Sequence, residues 1–246
     1  MALFDAKGLY YKKLNQEVQT LLASGAAEIR IANVNGQRYI GDGLKSSAHL
    51  ILEGTPGNDM AAYMDGLEIT VEGNAQDAMG NTMNAGKIVV HGHAGDTVGY
   101  AMRGGEIYIR DFVGYRVGIH MKEYMDKVPV IVAGGKAGDF LGEYMAGGVI
   151  VILGLGLAAG EDIVGSYCGT GMHGGVMYIR GEVPQATLGK EIKILDMTDE
   201  DNAKVKIYVR NYVAYFGGSV EEIMAKPFAK LVPFDKRPYG NLYCQW

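Results

Sequence analysis

Proline and cysteine are both scarce: six prolines and two cysteines in 246 residues. So little proline excludes collagen-like chains and proline-rich linkers. Cys168 and Cys244 cannot form the disulfide framework of a small secreted scaffold. Long apolar runs are missing too. The longest, Gly147 to Ala159, is broken by glycines and stops at Glu161 and Asp162, short of the roughly 18 residues of a membrane span. The opening Met1-Ala-Leu-Phe-Asp5 has no basic stretch followed by an apolar one, so a secretory leader is not expected and the cytoplasm is the expected compartment. With a net charge of −5 there is no basic footprint for nucleic acid.

Glycine, by contrast, is abundant. The 37 glycines are about twice the average share. The chain is 48% hydrophobic and 21% charged, which is the balance of a folded protein. Its length allows one large core. Glycine without proline implies a fold that turns sharply many times, or that brings backbones unusually close.

The glycines recur with a period. Gly86-Lys-Ile-Val-Val-His-Gly92 is echoed by Gly105–Asp111, Gly148–Gly154 and Gly175–Gly181. Earlier versions are Ala48–Gly54 and Leu67–Gly73, and Val128–Gly134 fills the long gap. The closing positions 54, 73, 92, 111, 134, 154 and 181 are separated by 19, 19, 19, 23, 20 and 27 residues. A constant step with occasional additions describes a solenoid whose loops grow at its corners. A second pattern rides on the same frame: Gly95-Asp-Thr-Val-Gly99, Gly114-Tyr-Arg-Val-Gly118 and Gly138-Asp-Phe-Leu-Gly142, with worn copies at Gln76–Gly80 and Ala186–Gly189.

Each unit holds one short strand rich in Ile and Val, which cannot bury its apolar side alone. Stacking coil on coil pairs each strand in parallel with its copy and encloses a continuous core. The expected fold is therefore an all-β, single-stranded parallel β-helix of about seven 19-residue coils. It is taken as right-handed, the default for parallel crossovers. A solenoid must cover its ends. Leu9 to Ala23 reads as a helix, followed by a first strand at Glu28–Asn33. Thr198-Asp-Glu-Asp201 reads as a capping box opening a second helix that stops at Gly217-Gly218, and Ser219 caps a third before Pro227. The chain is thus expected to form one domain: an N-terminal cap over 1–47, coils over 48–190, and a C-terminal helical cap and tail over 191–246.

Candidate chemistry is thin. His91-Gly-His93 brings two imidazoles near a strand end, but zinc needs three or four ligands. Aligned coils put His91 in a column with Glu72, Arg110 and Arg180, which reads as a solvated edge. Gly165-Ser-Tyr-Cys-Gly169 does not place its serine centrally, as a nucleophile elbow must. Cys168 near His173 could form a nucleophile pair, though a small buried corner residue explains the cysteine better. The glycine patterns open no helix, so they are not a dinucleotide fingerprint, and no cysteine set suits an iron–sulfur cluster. Met79, Met83, Met102, Met121, Met125 and Met145 are expected in the core or on a partner surface. No catalytic, cofactor-binding or metal-binding residue is assigned.

Gly138-Asp-Phe-Leu-Gly-Glu-Tyr-Met-Ala-Gly-Gly148 with Val149–Gly154 resembles the G-D-x-x-x-E-Y-M-x-G-G run of glutamate synthase large subunits. Gly171-Met-His-Gly-Gly175 with Tyr178, Gly73–Gly80 and Phe228–Arg237 resemble further parts of the same C-terminal GXGXG domain, so the likeness spans roughly residues 27–240. Gly114-Tyr-Arg116 stands where the family has G-E-R, with four inserted residues following. The glutamine-hydrolysing domain and the flavin and iron–sulfur barrel of that family are missing from this chain. The resemblance implies a non-catalytic scaffold that organises glutaminase-type and FMN/iron–sulfur subunits in glutamate biosynthesis, with no cofactor of its own and with self-association as an option. Its expected contact surfaces are the glycine corners and the insertions Lys122–Lys127 and Leu155–Ile163. A similar β-helix serves as the C subunit of formylmethanofuran dehydrogenase and related formyltransferase complexes, which is the alternative assembly.

Overall fold

The computed structural model of the chain describes residues 2–235. Residues 236–246, which hold Cys244 and the last two positions of the Phe228–Arg237 motif, lie outside them.

The repeated segments are strands stacked in one sheet. In chain order they are β1 (Ala2–Asp5), β2 (Glu28–Asn35), β3 (His49–Thr55), β4 (Asp65–Glu72), β5 (Ala85–Val90), β6 (Glu106–Ile109), β7 (Val130–Ala133), β8 (Ala146–Ile152) and β9 (Gly174–Arg180). Each pairs in parallel with the next. The register is that of the repeat: Leu50, Ile69, Ile88, Ile107, Ile131, Ile150 and Met177 lie one above another. A thin second wall runs through the bridged residues Ala75, Ala94, Val113, Ala137 and Val164. The third side of each coil is the glycine corner.

That corner shows why glycine is required. Three alternate residues per coil take positive φ: Thr97/Gly99/Ala101, Arg116/Gly118/His120, Phe140/Gly142/Tyr144 and Tyr167/Gly169/Gly171, with earlier copies at Tyr39/Gly41/Gly43, Asp59/Ala61/Tyr63 and Ala78/Gly80/Thr82. At the middle position the constraint is also one of space: a Cβ on Gly118, at φ +70°, would run into Ile150 of the core. Inward from the corners stands a column of methionines, Met64, Met83, Met102, Met121, Met145 and Met172, all fully buried. Flexible thioethers fill the space that a glycine-lined corner leaves. Of the methionines singled out in the sequence, only Met125 lies outside the core; it is 85% exposed on the Lys122–Lys127 insertion.

The ends are closed by different devices. At the start, α1 (Tyr11–Ala23) inserts Leu14 and Val18 into the same core as Ile29 and Ile31. β1 adds a parallel strand outside β2. At the other end, β11 (Phe228–Pro233) runs antiparallel to β9, and β10 (Ile192–Leu195) antiparallel to β11. An antiparallel strand cannot continue the coil, so the reversal of direction terminates it.

The C-terminal helices do not sit on the coil end, where an end cap was expected. α2 (Asp199–Phe216) lies along the outer face of the sheet. Its Val205, Val209 and Tyr212 form a second core with Tyr108, Val130, Val132, Val149, Val151 and Tyr178, joined by Ile223 of α3 (Val220–Met224). β6–β9 are apolar on both faces over this stretch, so only a covering element can bury their outer side. The capping box is present: the Asp201 amide donates to Thr198 Oγ1, and the Thr198 amide donates to Asp201 Oδ2.

Candidate functional site

The strand-end column of Glu72, His91, Arg110 and Arg180 is only partly solvated. His91 meets the Phe216 ring edge-on at 5.2 Å. The Tyr212 hydroxyl donates to the Arg110 carbonyl at 2.8 Å, and Arg180 Nε donates to the Ile223 carbonyl at 2.8 Å. This half of the column anchors α2 and α3. His93 instead stacks on Phe112 at 4.6 Å, so the two imidazoles of His91-Gly-His93 belong to separate aromatic pairs. Among the described residues, no three His, Cys, Asp or Glu side chains gather as a metal site would need.

Cys168 is completely buried, and burial pushes its thiol up to about 12. A thiol in that state is not a nucleophile at neutral pH. Nδ1 of His173 faces the Gly171 carbonyl at 3.1 Å rather than the Cys168 thiol. The segment Gly165-Ser-Tyr-Cys-Gly169 is a further copy of the corner pattern. Its Tyr167 and Gly169 have positive φ, and the Ser166 amide donates to Asp139 Oδ1 of the coil before at 2.8 Å. The 27-residue step hid this register in the sequence. The worn copy at Ala186–Gly189 also stacks on this corner, with Leu188 bridged in parallel to Cys168 and the Gly189 amide donating to the Cys168 carbonyl at 2.8 Å, but it enters through a 3-10 turn at Gln185–Thr187.

One carboxyl is unusual: Asp42, at the first corner, is pushed up to about 7 by burial, against a hydrogen bond from the Ala62 amide and with a small push from Asp59. The groups that act on it are the Ala62 amide and the Asp59 carboxylate.

The surface that stands out is the outer side of the glycine corner. Because successive coils are in register, residues at the same corner position stack along the axis. The Arg116 guanidinium lies 4.7 Å from the Phe140 ring centre, and Phe140 stacks on Tyr167 at 5.1 Å and 11°. Alongside, His120 stacks on Tyr144 at 5.3 Å and 10°, with the Tyr100 ring edge-on to it at 5.8 Å. Arg116 Nε donates to Glu143 Oε2 at 2.8 Å, and Glu143 is only 8% exposed. Tyr100, Tyr115, Tyr144 and Tyr167 remain exposed. Tyr144 belongs to the Glu-Tyr-Met run, and its ring covers Gly171, where a Cβ would collide with it.

The backbone beneath is fixed. The amides of Arg116, His120, Phe140 and Tyr144 donate to the following coil, and those of Gly118 and Gly142 to the preceding one. This is a pre-arranged array of tyrosine, histidine and arginine, and tyrosine and arginine are enriched where proteins bind proteins. Of the two insertions, Lys122–Lys127 closes as a tight turn through paired backbone bonds between Tyr124 and Lys127. Leu155–Ile163 is a surface loop held by the Lys136–Glu161 ion pair. It borders a shallow groove with Arg110, Phe112 and Tyr212. Among the described residues no helix is long and apolar enough to cross a membrane.

Fold and surface together define a glycine-cornered parallel β-helix with a rigid outward face. The chain belongs to the GXGXG motif family, whose model matches residues 12–234. An uncharacterized protein of Methanocaldococcus jannaschii is 44% identical to it over 250 residues, an alignment covering 98% of this chain and 95% of that one.

Proposed function

We propose that this protein is a non-catalytic organising subunit of a glutamate synthase-type assembly. In that role it holds a glutaminase-type amidotransferase and an FMN/iron–sulfur subunit together in the cytoplasm. The observation that carries the reading is the stacked corner face. It is extended, hydrogen-bonded from beneath and lined by exposed tyrosines, which suits a protein partner far better than an enclosed small substrate. Tyr144 of the Glu143-Tyr-Met145 run, through which the chain resembles glutamate synthase large subunits, lies in that face. Membership of the GXGXG family, along nearly the whole chain, supports the same reading.

The test is reconstitution. The purified protein is combined with the glutaminase-type and flavin/iron–sulfur subunits of its source organism, and glutamine-dependent glutamate formation is measured with and without it. A stable three-part complex with faster coupled turnover is expected. Subunits that couple equally well without the protein, or that never bind it, would overturn the proposal. Co-purification with formyl-transfer subunits would reassign it to the alternative assembly.

A further inference from the structure

Within the corner face, one cation is both immobilised and incompletely used. The Arg116 guanidinium is pinned by its contact with Phe140 and by the bond from Nε to Glu143. Among the described residues neither Nη atom has a hydrogen-bond partner, and the side chain is 47% exposed. An arginine held flat, with its outer edge free, presents two parallel donors in the spacing of a carboxylate. Fixing it beforehand removes most of the entropy cost of recruiting a long flexible side chain. The same corner side carries the exposed rings of Tyr115, Tyr144 and Tyr167, with Tyr167 stacked on the Phe140 ring that Arg116 touches; aromatic rims of this kind exclude water from a central contact.

Carboxylates of this chain lie on the same side, but they are engaged with backbone. Asp96 Oδ1 accepts from the Tyr115 amide at 2.8 Å and Asp139 Oδ1 from the Ser166 amide at 2.8 Å. Glu143 occupies Nε alone.

We infer that Arg116 is the anchor of this face and receives an aspartate or glutamate of a protein partner as a two-pronged ion pair beside the Phe140–Tyr167 stack. The inference rests on the scaffold reading above. It assigns the contact to the corner rather than to the two insertions.

The experiment is a binding titration of the full chain against the purified glutaminase-type and flavin/iron–sulfur subunits at two salt concentrations. The variants are Arg116→Gln, Arg116→Lys, the pair Arg116→Gln with Glu143→Gln, and the control Arg103→Gln. The double variant removes the exposed cation yet leaves no unpaired buried charge, so a loss of binding there is not a loss of fold. Thermal melts verify this. Affinity for one subunit is expected to fall about thirtyfold or more in the single and double Gln variants. Arg116→Lys should fall in between, because an ammonium lacks the planar fork. Arg103→Gln should bind like the wild type, and salt should weaken the wild type more than the double variant. If the wild type binds and the double variant stays within twofold of it, the anchor assignment is wrong while the scaffold reading stands. A wild type that binds neither subunit overturns the scaffold reading and this assignment with it.

Discussion

Replacing Asp201 by alanine should loosen α2 from the solenoid. Asp201 sits in the first turn of α2 and is 7% exposed. It accepts from the Tyr178 hydroxyl on β9 at 2.6 Å, from Lys230 on β11 at 2.7 Å, and from the Thr198 hydroxyl and amide at 2.7 and 3.0 Å. One carboxylate therefore joins the helix start, the last coil and the terminating strand. Burial alone would raise its pKa, but the bonds from Lys230, Tyr178 and Thr198 outweigh burial and hold it well below the usual range.

Alanine leaves the Tyr178 hydroxyl and the largely buried Lys230 ammonium without their partner. Breaking such a pair costs about 3–5 kcal/mol, and we take about 3 because Lys230 keeps some contact with water. For a chain of this length that is a fall of about 6–12 °C in melting temperature. The sign with pH follows. A carboxyl whose folded pKa lies below its unfolded value of about 3.9 stabilises fully above that value and loses the contribution as pH falls through the folded pKa. The gap between wild type and Asp201→Asn should be widest near neutrality and shrink below about pH 4. The assays are circular dichroism melts across pH and hydrogen exchange of the α2 amides. An Asp201→Ala variant that melts within a degree of the wild type, with α2 protection unchanged, would refute this account.

Three further outcomes follow from the coil interior. Gly118→Ala and Gly8→Ala both put a Cβ at φ +70°, yet only the first meets core atoms. Gly8→Ala should cost about 1–2 kcal/mol of backbone strain, and Gly118→Ala about 1–3 kcal/mol more from overpacking, read from chemical denaturation. Met121→Ala opens the methionine column and should cost about 2–5 kcal/mol, whereas Met121→Leu should cost less than about 1.5 kcal/mol; equal losses would show that the column is not tightly packed. In a Cys244→Ser background, Cys168 should resist alkylation until the chain unfolds, because it is fully buried and its thiol is pushed up to about 12; rapid labelling of the native protein would contradict that.

How much was legible follows from what each feature depends on. The coils were readable because stacking forces every strand to repeat the same apolar spacing, and the structural register from Ile69 to Ile150 is the register of the sequence. The capping box at Thr198 was readable because it is local chemistry. The side position of α2 was not read, although a signal existed: Leu67-Glu-Ile-Thr-Val-Glu72 alternates, while Val130–Ala133 and Val149–Leu153 are apolar without a break, and unbroken strands are buried on both faces. β1, β10 and β11 carry no glycine frame, and their pairing depends on where the chain returns. The corner face was hidden because positive φ at Arg116, His120, Phe140 and Tyr144 is imposed by stacking. Nothing in those residue types announces it, and only exact alignment of the corners brings Arg116, Phe140 and Tyr167 into one column.

The placement of α2 also bears on the scaffold proposal, because it leaves the corner side uncovered. A β-helix of this kind has three long sides. The outer face of the sheet is apolar at β6–β9, where α2 covers it. At β2–β5 it is charged, with Arg30 paired to Glu53 and Lys87 to Glu68. The thin wall turns Ala75, Ala94, Val113, Ala137 and Val164 inward, and the rings beside it are the stacked pair His93–Phe112. The ends are closed by α1 and β1 and by β10 and β11. Large rings point outward in a continuous array on the corner side, and there the backbone is already tied to the coils above and below. Binding to that array orders little that is not ordered beforehand, so more of each contact's free energy survives as affinity. The turn that demands glycine inside is the one that holds tyrosine, histidine and arginine in place outside.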